Sequence, residues 1–165
     1  MNPALPEMNK NNTRKGEVKI TIKNLQKKIP ISSSISERIK KAVLKTLSLK
    51  GTKLSGEMTV CFVNDEKIRQ LNLKYSGKNN PTDVMVFDIS ESKEETLADI
   101  VISIDTAIRN AKIFRTHPLY EVYLYVVHGV LHILGYDDKN KKDRLIMHKK
   151  EKYICSKILN PSPKT

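Results

Sequence analysis

The sequence predicts an α+β fold built as one domain, and three observations predict it. Short segments whose apolar residues alternate with polar ones recur along the chain, as in half-buried strands. Between them lie longer segments with apolar residues three and four apart, as in helices packed on one side. One later stretch, Leu119 to Leu134, is apolar on nearly every side and needs neighbours all round.

The chain has 165 residues, of which 39% are apolar, enough for one domain that buries roughly two-thirds of the surface its unfolded form exposes. Residues 1–16 and the terminal NPSPKT are rich in Asn, Pro and Lys without apolar periodicity, so the expected division is a mobile basic tail over 1–16, the domain over 17–159 and a second tail over 160–165.

EVKITIKNL (17–25) places Val18, Ile20 and Ile22 on one side of a strand. Ser34-Ile35-Ser36-Glu37 opens a helix whose face is Ile35, Ile39, Ala42, Val43, Leu44 and Leu47, with Gly51 as its stop. EMTVCFV (57–63) is the second strand. Asn64-Asp65 then caps a helix that turns Ile68, Leu71 and Leu73 inward. A polar loop from Tyr75 to Pro81 leads to DVMVFDI, and the acidic loop SESKEET leads to LADIVISI, two further strands. Asp105 caps a helix over 105–115 with Ile108, Ala111 and Ile113 at helical spacing. Pro118 starts the buried helix and Gly135 ends it. A basic helix over 139–159 closes the domain, with Leu145, Ile146, Ile154, Ile158 and Leu159 on or near its packed side.

The 30 Lys and Arg outnumber the 18 Asp and Glu, a formal charge of +12, which suits a polyanionic partner. Nucleic acid comes first and an anionic membrane second; a Lys-rich proteome produces the same balance. Cys61 and Cys155 lie far apart in apolar stretches, as buried reduced thiols do in a reducing compartment. With no apolar leader and no run of membrane-spanning length, the expected location is the cytoplasm.

The chemistry concentrates in HGVLHILGYDD (128–138). His128 and His132 are one helical turn apart, so their ring nitrogens can converge on one ion. The break at Gly135 lets Asp138 return an oxygen ligand to it. Three protein ligands leave a coordination position open, the arrangement of catalytic metal sites. The plainer readings are hydrogen-bonded core histidines and a purely structural ion. A zinc peptidase is disfavoured, because H-E-x-x-H needs a Glu where Gly129 stands. Gly129 instead permits close approach to the helix backbone by a packed strand or a substrate phosphate.

These residues resemble the YbeY family, bacterial metal-dependent endoribonucleases of rRNA maturation and ribosome quality control, whose signature is H-G-x-L-H-x-x-G-Y-D-H. LNLKYSGKNNPTDVMVFDI (71–89) is similar to the family's LN-x-x-YRGK-x-x-PTDVLSF, LADIVIS (97–103) to LGDIVIS, and Met147 and Glu151 to its M-E-x-x-E helix. The resemblance spans roughly residues 57–158. It implies a small mixed sheet of about four strands flanked by about five helices, with the metal in a cleft at the end of the buried central helix.

It further implies a single-strand-capable hydrolase of RNA phosphodiesters using metal-activated water on one divalent ion, Zn²⁺ first, held by His128, His132 and Asp138. The implied partners are rRNA and the ribosome or its assembly intermediates, with no membrane and no dinucleotide cofactor. Three departures stand out: Asp138 replaces the family's third metal-binding His, Ser76 the Arg of its loop, and His148 the first Glu of its helix.

A carboxylate at Asp138 takes an M²⁺ site from +2 to +1, lowering its Lewis acidity and widening the choice of ion to Fe(II) or Mn(II). Ser76 removes a bidentate phosphate clamp, for which Lys74 and Lys78 can substitute only as point charges, or can remain solvated loop lysines. His148 is a surface residue or a neighbour of the ion, and KNKKDRLIMHKKEK (139–152) a solvated helix face or an RNA contact. The departures at Ser76 and Asp138 also suit an alternative, a ribosome-assembly RNA-binding protein that keeps the ion with little nuclease activity.

Overall fold

A computed structural model describes residues 16–51 and 53–159, and both expected tails lie almost wholly outside them. In chain order the elements are β1 (Val18–Asn24), α1 (Ser33–Leu47) with a 3-10 turn over Ser48–Lys50, β2 (Ser55–Val63), α2 (Asp65–Ser76), β3 (Val84–Asp88), β4 (Glu95–Ser103), α3 (Ile104–Phe114), α4 (Pro118–Ile133) and α5 (Lys141–Leu159). The expected mixed sheet of four strands and five helices is present among the described residues. The strand order is β1-β2-β4-β3. β1, β2 and β4 run parallel and β3 is antiparallel to β4, with Val86 opposite Ile100.

Strand alternation assigns the two sides of this sheet. Met58, Val60 and Phe62 of β2 and Ala98, Ile100 and Ile102 of β4 are buried, most of them in the main core under α1, α3, α4 and α5. The opposite side carries a smaller cluster in which Ile68 of α2 meets Val63 and Val101, with Met85 and Phe87 of β3 against it. The central helix α4 touches α1, α3, α5, β3 and β4, the enclosure that its apolar sequence demanded.

Several local expectations shift. α1 is capped two residues earlier, by Ser32, whose hydroxyl accepts from the Ile35 amide at 3.2 Å, and Leu44 is exposed. β4 starts at Glu95, so the acidic loop is shorter than its composition suggested. The cap of α3 is Ser103, with the Thr106 amide donating to its hydroxyl at 3.2 Å. Asp105 has other partners: it accepts from the Asp65 amide at 2.8 Å and from Lys28, tying α3 to α2 and to the segment after β1.

Leu73 and Ile113 are exposed, as are Leu145 and Ile146. The inward face of α5 is instead Met147, Glu151, Ile154, Cys155 and Ile158. Cys155 is buried and its thiol is pushed up to about 12 by burial, whereas Cys61 is only half-buried. No helix among the described residues is long and apolar enough to cross a membrane.

Candidate metal centre

Two glycines shape the helix that carries the histidines. Gly129 lies over β4, where an added Cβ would stand 3.0 Å from Ile100 Cγ2, so the close approach it permits is to a packed strand. Gly135 takes φ +94°, in the left-handed region that favours glycine. It reverses the chain there. The Tyr136 amide donates back to Leu131 O and the Gly135 amide to His132 O, both at 3.0 Å. These bonds satisfy the last carbonyls of α4 and start Tyr136-Asp137-Asp138 back across the helix end.

The return brings the predicted trio together. His128 Nε2 and His132 Nε2 are 3.0 Å apart, and Asp138 Oδ2 is 3.5 Å from the first and 3.8 Å from the second. One point lies about 2.0 Å from all three atoms, the bond length at which zinc takes imidazole nitrogen and carboxylate oxygen. The residues present therefore fit a divalent ion, and the cluster can hold one. The three side chains are each partly exposed, so an ion held there would keep a position open to solvent.

Behind the trio stands a residue that the sequence matched to the family's helix without giving it a role. Glu151 of α5 is 3% exposed, and His128 Nδ1 donates to its Oε1 at 2.6 Å. That bond puts the His128 proton on Nδ1 and leaves the Nε2 lone pair for the ion. Burial pulls the His128 pKa down, but the Glu151 hydrogen bond and charge, with Asp83 and Asp138 behind them, outweigh it and hold the ring above the ordinary histidine range. The second oxygen of Glu151 accepts from His148 Nδ1 at 3.0 Å. His148 is thus both an exposed residue and a neighbour of the centre.

Glu121, Tyr125, His128 and His132 follow one another at spacings of four, three and four, a polar stripe along α4 hidden in its apolar run. Tyr125 OH accepts from Asn110 Nδ2 at 2.7 Å, Glu121 accepts from Thr116, and burial raises the Tyr125 pKa. Buried polar side chains without a partner are absent among the described residues. Lys74 and Lys78 are exposed at the end of α2 and in the loop after it. The Lys74 ammonium lies 5.2 Å from the centre of the Tyr75 ring. Ser76 is exposed on the same turn.

The comparisons with known proteins agree with one another. A family model described as "Endoribonuclease YbeY" matches residues 21–159. A curated Endoribonuclease YbeY of Carboxydothermus hydrogenoformans is 36% identical over 138 residues, 83% of this chain and 95% of the relative. That of Syntrophus aciditrophicus is 38% identical over 142 residues, 82% of this chain and 86% of the relative. The solution structure of TM1509 from Thermotoga maritima shares the fold, with a TM-score of 0.59 at 24% identity, covering 90% of this chain and 97% of that one. With most of its length matched at this identity, the chain belongs to the Endoribonuclease YbeY family.

Proposed function

We propose that this chain is a metal-dependent endoribonuclease that cleaves RNA phosphodiesters in rRNA maturation and ribosome quality control, in the cytoplasm, with Zn²⁺ held by His128, His132 and Asp138. Residues 17–159 form its single catalytic domain. The observation that carries the reading is the convergence of two imidazole nitrogens and one carboxylate oxygen at an open helix end, in a chain whose curated relatives are called endoribonucleases.

When bound, a divalent ion supplies a Lewis acid that polarises a phosphoryl oxygen and makes water more acidic. The protein's part is orientation and charge. His128 and His132 present their Nε2 atoms from one rigid helix, and Asp138 closes the set from the turn. Glu151 holds the His128 proton on the far side of its ring. Lys74 and Lys78 supply positive charge for substrate phosphates, and the formal charge of +12 draws the RNA backbone through a field that salt screens. Structured or single-stranded rRNA and ribosome assembly intermediates are the fitting substrates.

A second reading, an RNA-binding assembly protein with little nuclease activity, is favoured by Ser76, which offers no cation, and by the charge of Asp138. One preparation separates the two. Metal content and rRNA cleavage are measured on the purified protein with zinc, after chelation, and in His132→Ala. The enzyme reading requires cleavage that chelation stops, zinc restores and His132→Ala lacks. Zinc-loaded protein that binds rRNA and leaves it intact, with His132→Ala binding equally well, establishes the second reading.

A further inference from the structure

We propose that His148 is a positioning residue for the metal centre: with His128 it grips the two oxygens of the buried Glu151 carboxylate and so fixes the orientation of the His128 ring. The inference rests on the metal-binding reading above and adds to it a residue outside the ligand set.

The geometry is a bridge across two helices. Glu151 sits in the inward face of α5 between Met147 and Ile154, 3% exposed. Its Oε1 takes the His128 Nδ1 proton at 2.6 Å and its Oε2 the His148 Nδ1 proton at 3.0 Å. A carboxylate held through one oxygen keeps a soft terminal torsion, because the last torsion of Glu has no sharp staggered wells. Rotation about it would swing the acceptor and with it the ring that donates. A second donor on the second oxygen removes that rotation. His148 and Glu151 are three apart on one helix, neighbours by helix geometry, so α5 itself brings the outer arm of the grip within reach.

Exposure separates this role from packing. The His148 side chain is 65% exposed, so the core does not require an imidazole there. A Glu at this position, as in the family pattern, would set a second acceptor beside the Glu151 carboxylate; the imidazole N–H donates to it instead. The buried charge then has two donors rather than one, which is what a carboxylate removed from water needs.

The test titrates Zn²⁺ into the metal-free full-length protein by calorimetry and records the visible spectrum of its Co²⁺ form. Removal of an outer partner should weaken zinc binding by about 3–10-fold in His148→Ala and by about 10–100-fold in Glu151→Ala. His148→Gln, whose amide can donate to Glu151, should recover wild-type affinity to within about twofold. The Co²⁺ spectrum should change in His148→Ala and return in His148→Gln. Metal-free His148→Ala should unfold at the wild-type temperature.

Wild-type zinc affinity and an unchanged Co²⁺ spectrum in His148→Ala would overturn the proposal. So would a loss of metal-free stability as large as the loss in zinc binding energy, which assigns His148 a structural role only. A wild-type protein that takes up neither Zn²⁺ nor Co²⁺ would overturn the underlying metal reading instead.

Discussion

Adding one methyl group at Gly129 tests how tightly the helix that carries the two histidines is seated. In Gly129→Ala the new Cβ would meet Ile100 Cγ2 at 3.0 Å, Cδ1 at 3.3 Å and Cγ1 at 3.5 Å. Ile100 is fully buried in the central strand β4, and Cγ2 hangs directly on its branched Cβ, so rotation cannot clear the nearest contact cheaply. Overpacking of this kind costs about 1–3 kcal/mol. Replacing Gly by Ala inside a helix returns about 1 kcal/mol. The net expectation is a loss of about 1 kcal/mol, or about 2–4 °C in Tm for a domain of this size. Urea and thermal unfolding of the chelated protein measure it without a contribution from zinc. Ile100→Ala removes all three crowded atoms, so in that background Gly129→Ala should stabilise by up to about 1 kcal/mol. A stabilising Gly129→Ala in the wild-type background, or a sign that fails to invert with Ile100→Ala, would refute the reasoning.

Asp138→His, which removes a carboxylate from the ligand set, should raise the net charge of the loaded site by one and move the pH–rate profile for RNA cleavage to lower pH; a profile moved upward counts against the charge argument. Lys74→Ala and Lys78→Ala should each reduce the slope of log affinity against log salt by about 0.7 for single-stranded RNA, and an unchanged slope removes that lysine from the phosphate path. The acidic limb of the stability curve tests Asp65. Burial raises its pKa, but hydrogen bonds from Arg109, Ser103 and Thr106 outweigh burial and leave it lowered. Its stabilisation is therefore full above the unfolded value of about 3.9 and fades as pH falls through the lower folded value. Asp65→Asn should cost about 1–3 kcal/mol at pH 7 and progressively less as the pH falls below about 4, read by urea denaturation along that series; a cost that does not change with pH would assign the loss to shape.

The elements that position the site were legible where one physical signal ruled. α4 needed neighbours on all sides, and the turn at Gly135 needed a left-handed residue followed by a returning chain. Both demands appear directly in residue types, which is why His128, His132 and Asp138 converge as their spacing implied. Capping at α3 was less legible because two candidates compete. Ser103 and Asp105 are both good caps in isolation, and the choice between them is tertiary: the Asp105 carboxylate is drawn to the Asp65 amide and Lys28, which no local pattern displays. Leu44, Leu73 and Ile113 belong to amphipathic helices but lie beyond the width of the stripe their neighbours cover.

The phase of α5 is the instructive failure, because one charged residue turned it. Counting apolar residues alone draws Leu145 and Ile146 inward, yet both are exposed. Met147, Ile154, Cys155 and Ile158 mark the true face, and its regular spacing passes through position 151, where a Glu stands. A helix can bury that face only by burying the carboxylate, and a buried carboxylate without donors is among the costliest groups a core can hold. The phase therefore demands donors nearby. Elsewhere in the chain, the HGVLHILGYDD helix offers an imidazole that needs one ring nitrogen occupied before the other is held toward an ion. Each requirement answers the other: Glu151 is tolerable in the core because His128 donates to it, and His128 points its Nε2 outward because Glu151 holds its Nδ1.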